Sequence, residues 1–392
     1  MQTHIKSGIY FELDSENFTA KVISSPRVSG AIFIPRSVNH RSQEYLVTTI
    51  GEGSFKDNRD ITSIDFPDDS ELLTIEKEAF FGTLIDTLTI PSKVKELKEG
   101  WCSFTSKLTN IKLSQDNPNF TYYNDLMILG KSKDNSETFD LLIFARRDIY
   151  RGNIPSTVKR ICSYSFNDCY NIKFIEFSKD SQLVSIDKCA FLYSSVESIS
   201  IPATVEQLNE GWCEGTTKLS KFILSPENQY YSTLNPKIIV KKSDKYGKRF
   251  DVIVFACRNI DRVVVPSYIT RIASHAFSGC RYMQSIEFPR DSKLTRIDDF
   301  AFAFSSIENI IIPTSIKVIG RRAFFGCRQL NNVKFSIEAQ VDLIENGAFE
   351  ETGLKKIAIP QDVKELKEGW CDSNIVTSKI APDDNFDYFY KH

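Results

Sequence analysis

Histidine is nearly absent: the 392 residues include only His4, His40, His275 and His392. The most common general base and metal ligand is therefore scarce, and there is neither a Cys-x-x-Cys pair nor an HExxH segment to build a zinc site. A glycine-rich phosphate loop and a nucleophile elbow are missing as well. No catalytic constellation, metal site or cofactor site is expected, and an enzyme is the least supported class. No run of about 18 apolar residues exists, so no membrane-spanning helix is encoded. The formal net charge of −2 gives no whole-chain attraction to nucleic acid or anionic membrane. The opening Met-Gln-Thr-His-Ile-Lys-Ser-Gly lacks the apolar core of a secretory signal.

What the chain has instead is self-similarity. A small residue followed by an aromatic ends at Phe55, Phe80, Trp101, Phe166, Phe191, Trp212, Phe277, Phe302, Phe324, Phe349 and Trp370. Longer and slightly shorter intervals separate these positions, with two wide gaps, from Trp101 to Phe166 and from Trp212 to Phe277. The offsets of Phe55, Phe80 and Trp101 recur unchanged in Phe166, Phe191 and Trp212. All three tryptophans sit in Glu-Gly-Trp-Cys. A period of about 23 residues means stacked supersecondary units that bury their apolar faces only against each other. One elongated domain is expected in place of the two or three that length alone suggests.

Between the aromatics lie thirteen short apolar segments, each ended by Pro or Ser, such as Ile172 to Phe177 and Leu354 to Ile359. Apolar residues take their first, fourth and sixth places, and the third and fifth should point to solvent. Proline has no N–H for a ladder and stops the strand. A second apolar pair, Val205 and Leu208 or Ile316 and Ile319, should line the outer wall before the aromatic turn, which has room for about one helical or 3₁₀ turn. The predicted fold is a right-handed repeat solenoid with one curved parallel β-sheet and few long helices. Residues 1–27 should form a β-hairpin cap and residues 28–392 the solenoid, with hairpins inserted at about 114–148 and 225–259.

The nine cysteines follow the repeat phase. Equivalent positions two coils apart lie about 10 Å apart, beyond disulfide reach, so the thiols are expected to be free, buried and structural. The aromatics should form a core spine. The carboxylate pairs Asp68-Asp69 and Asp298-Asp299 fall in loop phase and read as solvated turns, and His275 reads as semi-exposed filler.

Binding must then use surfaces. Phe174, Ile223 and Ile311 are outward apolar residues of the expected sheet face, with Glu176 and Glu287 beside them. The second insertion carries a basic turn, Lys241, Lys242, Lys245, Lys248 and Arg249, suited to an acidic partner such as a sulfated glycan or an anionic protein.

Ile-Gly-Glu-Gly-Ser-Phe at 50–55, Asp-Ser-Glu-Leu-Leu-Thr-Ile-Glu-Lys-Glu-Ala-Phe at 69–80, Ile-Pro-x-x-Val and Glu-Gly-Trp-Cys together resemble the BspA-like branch of the leucine-rich-repeat proteins, over roughly residues 8–385. The resemblance implies a cell-surface or secreted protein that adheres to a protein or glycan, host extracellular matrix or cell surface included. Nucleic-acid binding and membrane insertion by this chain are not expected. An intracellular scaffold of the same fold, in the cytoplasm, is the competing expectation.

Overall fold

Each of the thirteen apolar segments holds a strand in the computed structural model, which describes residues 2–133, 136–244, 246–336 and 338–380. The described residues form strands and turns, without a helix. The chain divides into two compact units. The first comprises Met1–Val196 with Gln207–Cys213, and the second Glu197–Glu206 with Glu214–His392.

In the first unit Gly30–Phe33, Ile61–Asp65, Thr87–Ile90 and Asn110–Leu113 pair in parallel, and Arg151–Ile154 pairs with Phe174–Phe177. In the second, Ser198–Ile201 pairs with Lys221–Leu224, and Arg262–Val264, Ser285–Glu287, Asn309–Ile312 and Asn332–Phe335 form a four-stranded parallel sheet. Lys356–Ile359 pairs with a further strand, Val376–Lys379. Burial alternates as the pattern requires: in Asn309–Ile312 it runs exposed, buried, exposed, buried.

The single expected sheet has a companion. The second member of the apolar pair lies in a second parallel ladder of two-residue strands, as in Arg271–Ile272, Arg296–Ile297, Val318–Ile319, Leu343–Ile344 and Glu365–Leu366. Every coil thus has two walls with the core between them. Inner residues such as Ile297, Ile310 and Ile312 are 0–2% exposed.

The expected helical or 3₁₀ turns at the aromatic do not occur, and the hydrogen bonds show why. The N–H groups of Tyr164, Phe166 and Asp168 donate across to the next coil, to the carbonyls of Cys189, Ala190 and Leu192, at 3.2, 2.8 and 3.1 Å. The intervening Ser165, Asn167 and Cys169 donate within the turn, three positions back. A helix would direct all of these donors along one segment. Left-handed residues two before and two after the aromatic, Tyr164 (φ 64°) and Asp168 (φ 56°), permit the alternation.

The predicted aromatic spine is present. Phe277, Phe302, Phe324 and Phe349 stack at 5.0–5.1 Å with interplanar angles of 3–5°. Phe55 with Phe80 and Phe166 with Phe191 also stack, at 5.7 and 4.8 Å with angles of 11° and 9°. The tryptophans are one position out of phase. Phe55 N–H donates to Ala79 O, whereas Phe80 N–H donates to Trp101 O, so Trp101 occupies the alanine slot and Cys102 the aromatic slot. The bridge between Phe349 and Cys371 repeats this. Trp rings accordingly stand at 81–88° to the neighbouring Phe. Counted by slot, Phe55, Phe80 and Cys102, or Phe277, Phe302, Phe324, Phe349 and Cys371, follow one strict alternation of a longer and a shorter coil.

Three antiparallel meanders share one plan. Gln2–Lys6, Ile9–Asp14 and Thr19–Ile23 form the first; Phe120–Tyr123, Met127–Gly130 and Leu141–Ala145 the second; Tyr231–Asn235, Ile238–Lys242 and Phe250–Ala256 the third. The last strand of each pairs in parallel with the next strand of the second ladder: Gln43–Ile50, Arg160–Ile161 or Arg271–Ile272.

Phe302 stacks on two rings and is fully buried. Phe302→Ala is expected to destabilise the protein by about 3–5 kcal/mol, measured as a lowered midpoint of urea unfolding with secondary structure otherwise retained at zero urea.

Candidate functional site

The outward face of the long-strand ladder differs along the chain. In the first unit Phe33, 58% exposed, lies on this face beside Asp65, and the polar groups next to it are paired with one another. Thr89 Oγ1 donates to Asp65 at 2.6 Å and Lys112 Nζ lies 3.3 Å from the same carboxylate. The hydrogen bond from Thr89, and then Lys112, hold Asp65 below the usual carboxylate range against the opposing effect of burial. Phe174 points outward but is half-buried. The Arg151 guanidinium lies 4.9 Å over its ring and Tyr150 meets it edge-on at 6.4 Å. Glu176 is the ion partner of Arg151 at 2.7 Å.

In the second unit the face carries apolar residues in water. Ile223 is 56% exposed, Val264 65% and Ile311 38%. Register places Val264 beside Glu287 and Ile311 beside Lys334, while Arg262, Ser285, Asn309 and Asn332 form the adjoining row. Sheet pairing fixes these side chains on a rigid surface.

The basic turn is only partly free. Lys241 is half-buried in the ladder, Lys242 Nζ sits 5.2 Å over the Phe250 ring and the Arg249 guanidinium 5.7 Å over Tyr268. Lys248 and Arg249 are exposed, and Lys245 lies outside the described residues. Asp251 fastens the base of the turn, accepting from Ser243 N and Oγ at 2.8 Å each and from Thr270 Oγ1 at 3.0 Å. Burial raises the Asp251 pKa, but these bonds together outweigh it and leave the group lowered. Asp140 holds Ser132 identically in the first insertion.

Two buried arginines escaped the sequence reading. Arg147, 3% exposed, donates to Ala145 O at 3.3 Å, Ser165 O at 3.1 Å and Cys102 O at 3.4 Å, and stacks on the Phe144 ring at 4.5 Å. Cys102 and Cys169 sulfurs lie 3.8 and 3.9 Å from its terminal nitrogens. Arg258, at the equivalent place in the next internal copy, repeats the arrangement against Ala256 O, Thr216 O and Cys280. That internal repetition was the available signal; an arginine after an apolar strand otherwise looks like the start of a solvated loop.

The turn reading of Asp298 needs correction. It is 2% exposed and pairs with Arg271 and, at 2.5 Å, with Arg296. The column of strand-opening residues in the second ladder brings both guanidinium groups to it.

All nine cysteines are free in the structure. Burial pushes the thiols of Cys102 and Cys327 up to about 12 and those of Cys162 and Cys169 to about 11. The guanidinium of Arg147 opposes this at Cys102 and Cys169 without prevailing. Such thiols are poor nucleophiles near neutrality. A cleft of about 270 Å³ beside the strand Asn110–Leu113 is lined by Tyr122, Asp125 and Arg146, and Arg146 is already bound by Asp148 at 3.0 and 2.7 Å.

Stacked coils with parallel ladders, an aromatic-filled core and an exposed ladder face define a leucine-rich-repeat solenoid. Residues 33–130, 138–234 and 250–374 match the BspA type leucine-rich repeat region in six copies. The chain belongs to that family. Among solved structures it is similar to a leucine-rich cell surface protein from Faecalibacterium prausnitzii, with 18% identity, a TM-score of 0.50 and coverage of 95% of this chain and 86% of the other. It is also similar to the pneumococcal vaccine antigen PcpA, at 14% identity and TM-score 0.48 over 97% of this chain and 99% of that one. No curated protein matches the sequence.

Two outcomes follow from the buried groups. Arg147→Met keeps a long apolar stem over Phe144 but removes the charged donor to the carbonyls of Ala145, Ser165 and Cys102, at an expected cost of about 1.5–3 kcal/mol in urea unfolding; an unchanged midpoint would refute the role. The folded state holds these thiol protons more tightly than the unfolded state, where the pKa is about 8.5. This contribution to stability is full below that value and is lost as pH rises toward 11–12, so the melting temperature should fall across that window. After denaturation without reductant, alkylation should add nine labels by intact mass.

Proposed function

We propose that the protein is a non-enzymatic binding or adhesion protein that presents the outward face of its long-strand ladder to a protein partner at the cell surface. The observation that carries this reading is the row containing Val264, Glu287 and Ile311 in the second unit. Val264 is 65% exposed on a hydrogen-bonded sheet, and no core requirement explains it, since the inward residues alone fill the core. Apolar side chains rimmed by Arg262, Glu287 and Lys334 resemble the centre and rim of a protein interface. The polar clusters elsewhere, at Asp65, Asp251 and Asp298, serve ladder and turn geometry, which favours binding over catalysis. Membership of the BspA-type family and the description of the F. prausnitzii protein as a cell surface protein support the location. The basic turn is proposed as an additional contact for an anionic partner such as a sulfated glycan, because Lys248 and Arg249 are both exposed there; that contact would weaken with salt.

An intracellular scaffold could use the same face, and location separates the two. Surface biotinylation of intact producing cells should label the protein, and fluorescently tagged protein should bind cultured host-cell monolayers. Val264→Lys with Ile311→Lys should reduce that binding at least tenfold without shifting the melting temperature by more than a degree or two. Absence of labelling with intact cells would favour the scaffold, and equal binding by the variant would exclude this face.

A further inference from the structure

The left-handed slot two positions after the spine aromatic is held by Gly82, Gly279 and Gly326 in several coils, with φ of 69°, 71° and 68°. In the first unit the same slot holds Phe104 (φ 60°) and Tyr193 (φ 54°). An L side chain is disfavoured there and glycine is available to the repeat, so bulky rings at these places stand against backbone preference. They are also brought together. Phe104 lies 4.7 Å from Phe81 and 6.0 Å from Tyr193 between ring centroids, and its N–H is fastened to Asn167 Oδ1 at 2.6 Å. Tyr193 is 47% exposed and Tyr170 54% exposed. Asp168, itself left-handed and 3% exposed, accepts the Tyr170 hydroxyl at 2.9 Å.

We propose that this edge of the first unit, formed by Phe81, Phe104, Tyr170 and Tyr193 around Asp168, binds a neutral β-1,4-linked oligosaccharide. Pyranose rings with equatorial hydroxyls present flat C–H faces to aromatic rings and direct their hydroxyls sideways to hydrogen-bonding groups. The edge supplies both: aromatic rings that run from coil to coil, and the hydroxyls of the exposed Tyr170 and Tyr193, that of Tyr170 oriented by the buried Asp168 carboxylate. A protein-docking patch would concentrate its apolar area and keep polar groups to the rim, whereas here they alternate. Neutrality follows from the charges present. Lys56 over the Phe81 ring is matched by Glu78 at 2.7 Å, so the cation beside the rings is already neutralised and offers nothing to an anionic sugar. This site is separate from the ladder face proposed above, and neither depends on the other.

The left-handed backbone makes the test clean. Phe104→Gly with Tyr193→Gly restores the residue that the slot favours, so the melting temperature should not fall. In native gels containing hydroxyethylcellulose or glycol chitin, both soluble neutral β-1,4-glycans, the wild-type protein should be retarded by at least one of them. The double variant should need at least tenfold more polymer for the same retardation, while Val264→Lys with Ile311→Lys behaves as wild type. If the double variant does lose stability, Tyr193→Ser and Tyr170→Ser, at exposed positions, should each weaken retardation severalfold. Wild-type mobility unchanged by either polymer overturns the proposal, as does equal retardation of the variants. Loss of host-cell binding by the glycine variant with no polymer retardation of the wild type would assign the edge to a protein partner and likewise overturn it.

Discussion

Everything in this molecule is paced by the backbone hydrogen bonds that cross from one aromatic turn to the next. Because Tyr164, Phe166 and Asp168 all donate to the following coil, the turn side advances at the same pitch as the strand ladders. The side chains it carries must then superimpose. Rings of Phe277, Phe302, Phe324 and Phe349 stack within 3–5° of parallel because each occupies the same place in an equivalent coil, and no separate preference of the rings needs to be invoked. The left-handed residues that flank the spine are the cost of this arrangement, and they determine which side chains leave the edge and in what direction.

The meanders test that pacing. Each joins the second ladder of the coils that follow it, as Leu141–Ala145 does onto Arg160–Ile161. The long-strand ladder has no such continuation: it stops at Asn110–Leu113 and resumes at Arg151–Ile154. At that interruption Arg147 enters the core and donates to three carbonyls, of which Ser165 O also accepts from Ala145 N and Cys102 O from Thr105 Oγ1. A guanidinium suits this place because it offers several donors on a long apolar stem, and an aromatic face below it compensates for lost hydration. Its charge does not activate the adjacent thiols, since burial outweighs it at both cysteines.

Much of the architecture was legible in the sequence, for a physical reason. The alternation in segments such as Leu354 to Ile359 and the proline that follows are dictated by one wall facing the core, and the buried Phe leaves little choice of residue. The second ladder was hidden because two residues cannot display a period. The phase of Trp101 was misread because ring size draws attention, while the slot is defined by which carbonyl it offers to Phe80. Left-handed backbone at His275, Phe300 and Arg322 was invisible because those residue types ordinarily avoid it; their variety looked like mere exposure. Asp298 seemed solvated because its two arginine partners belong to other turns of sequence, Arg271 and Arg296, which only the register of the second ladder unites. The outward face was legible as a pattern, yet the cover that Arg151 and Tyr150 give Phe174 depends on which coils adjoin.

The strict alternation of longer and shorter coils has a bearing on how such a chain can change length. Phe277 to Phe324 and Phe302 to Phe349 span the same stretch of chain, one coil of each kind. The longer coil carries an extra loop, Pro289 to Ser292 in one case, whose buried serine accepts the N–H of Leu294. Duplicating or excising one coil would set two like coils side by side, each expecting the other kind as its neighbour at the loop. Duplicating or excising a pair leaves every junction as it was. The heritable building block of this solenoid is therefore the coil pair, and tandem gain or loss of about 140 nucleotides is the genetic step that the fold accommodates without repair.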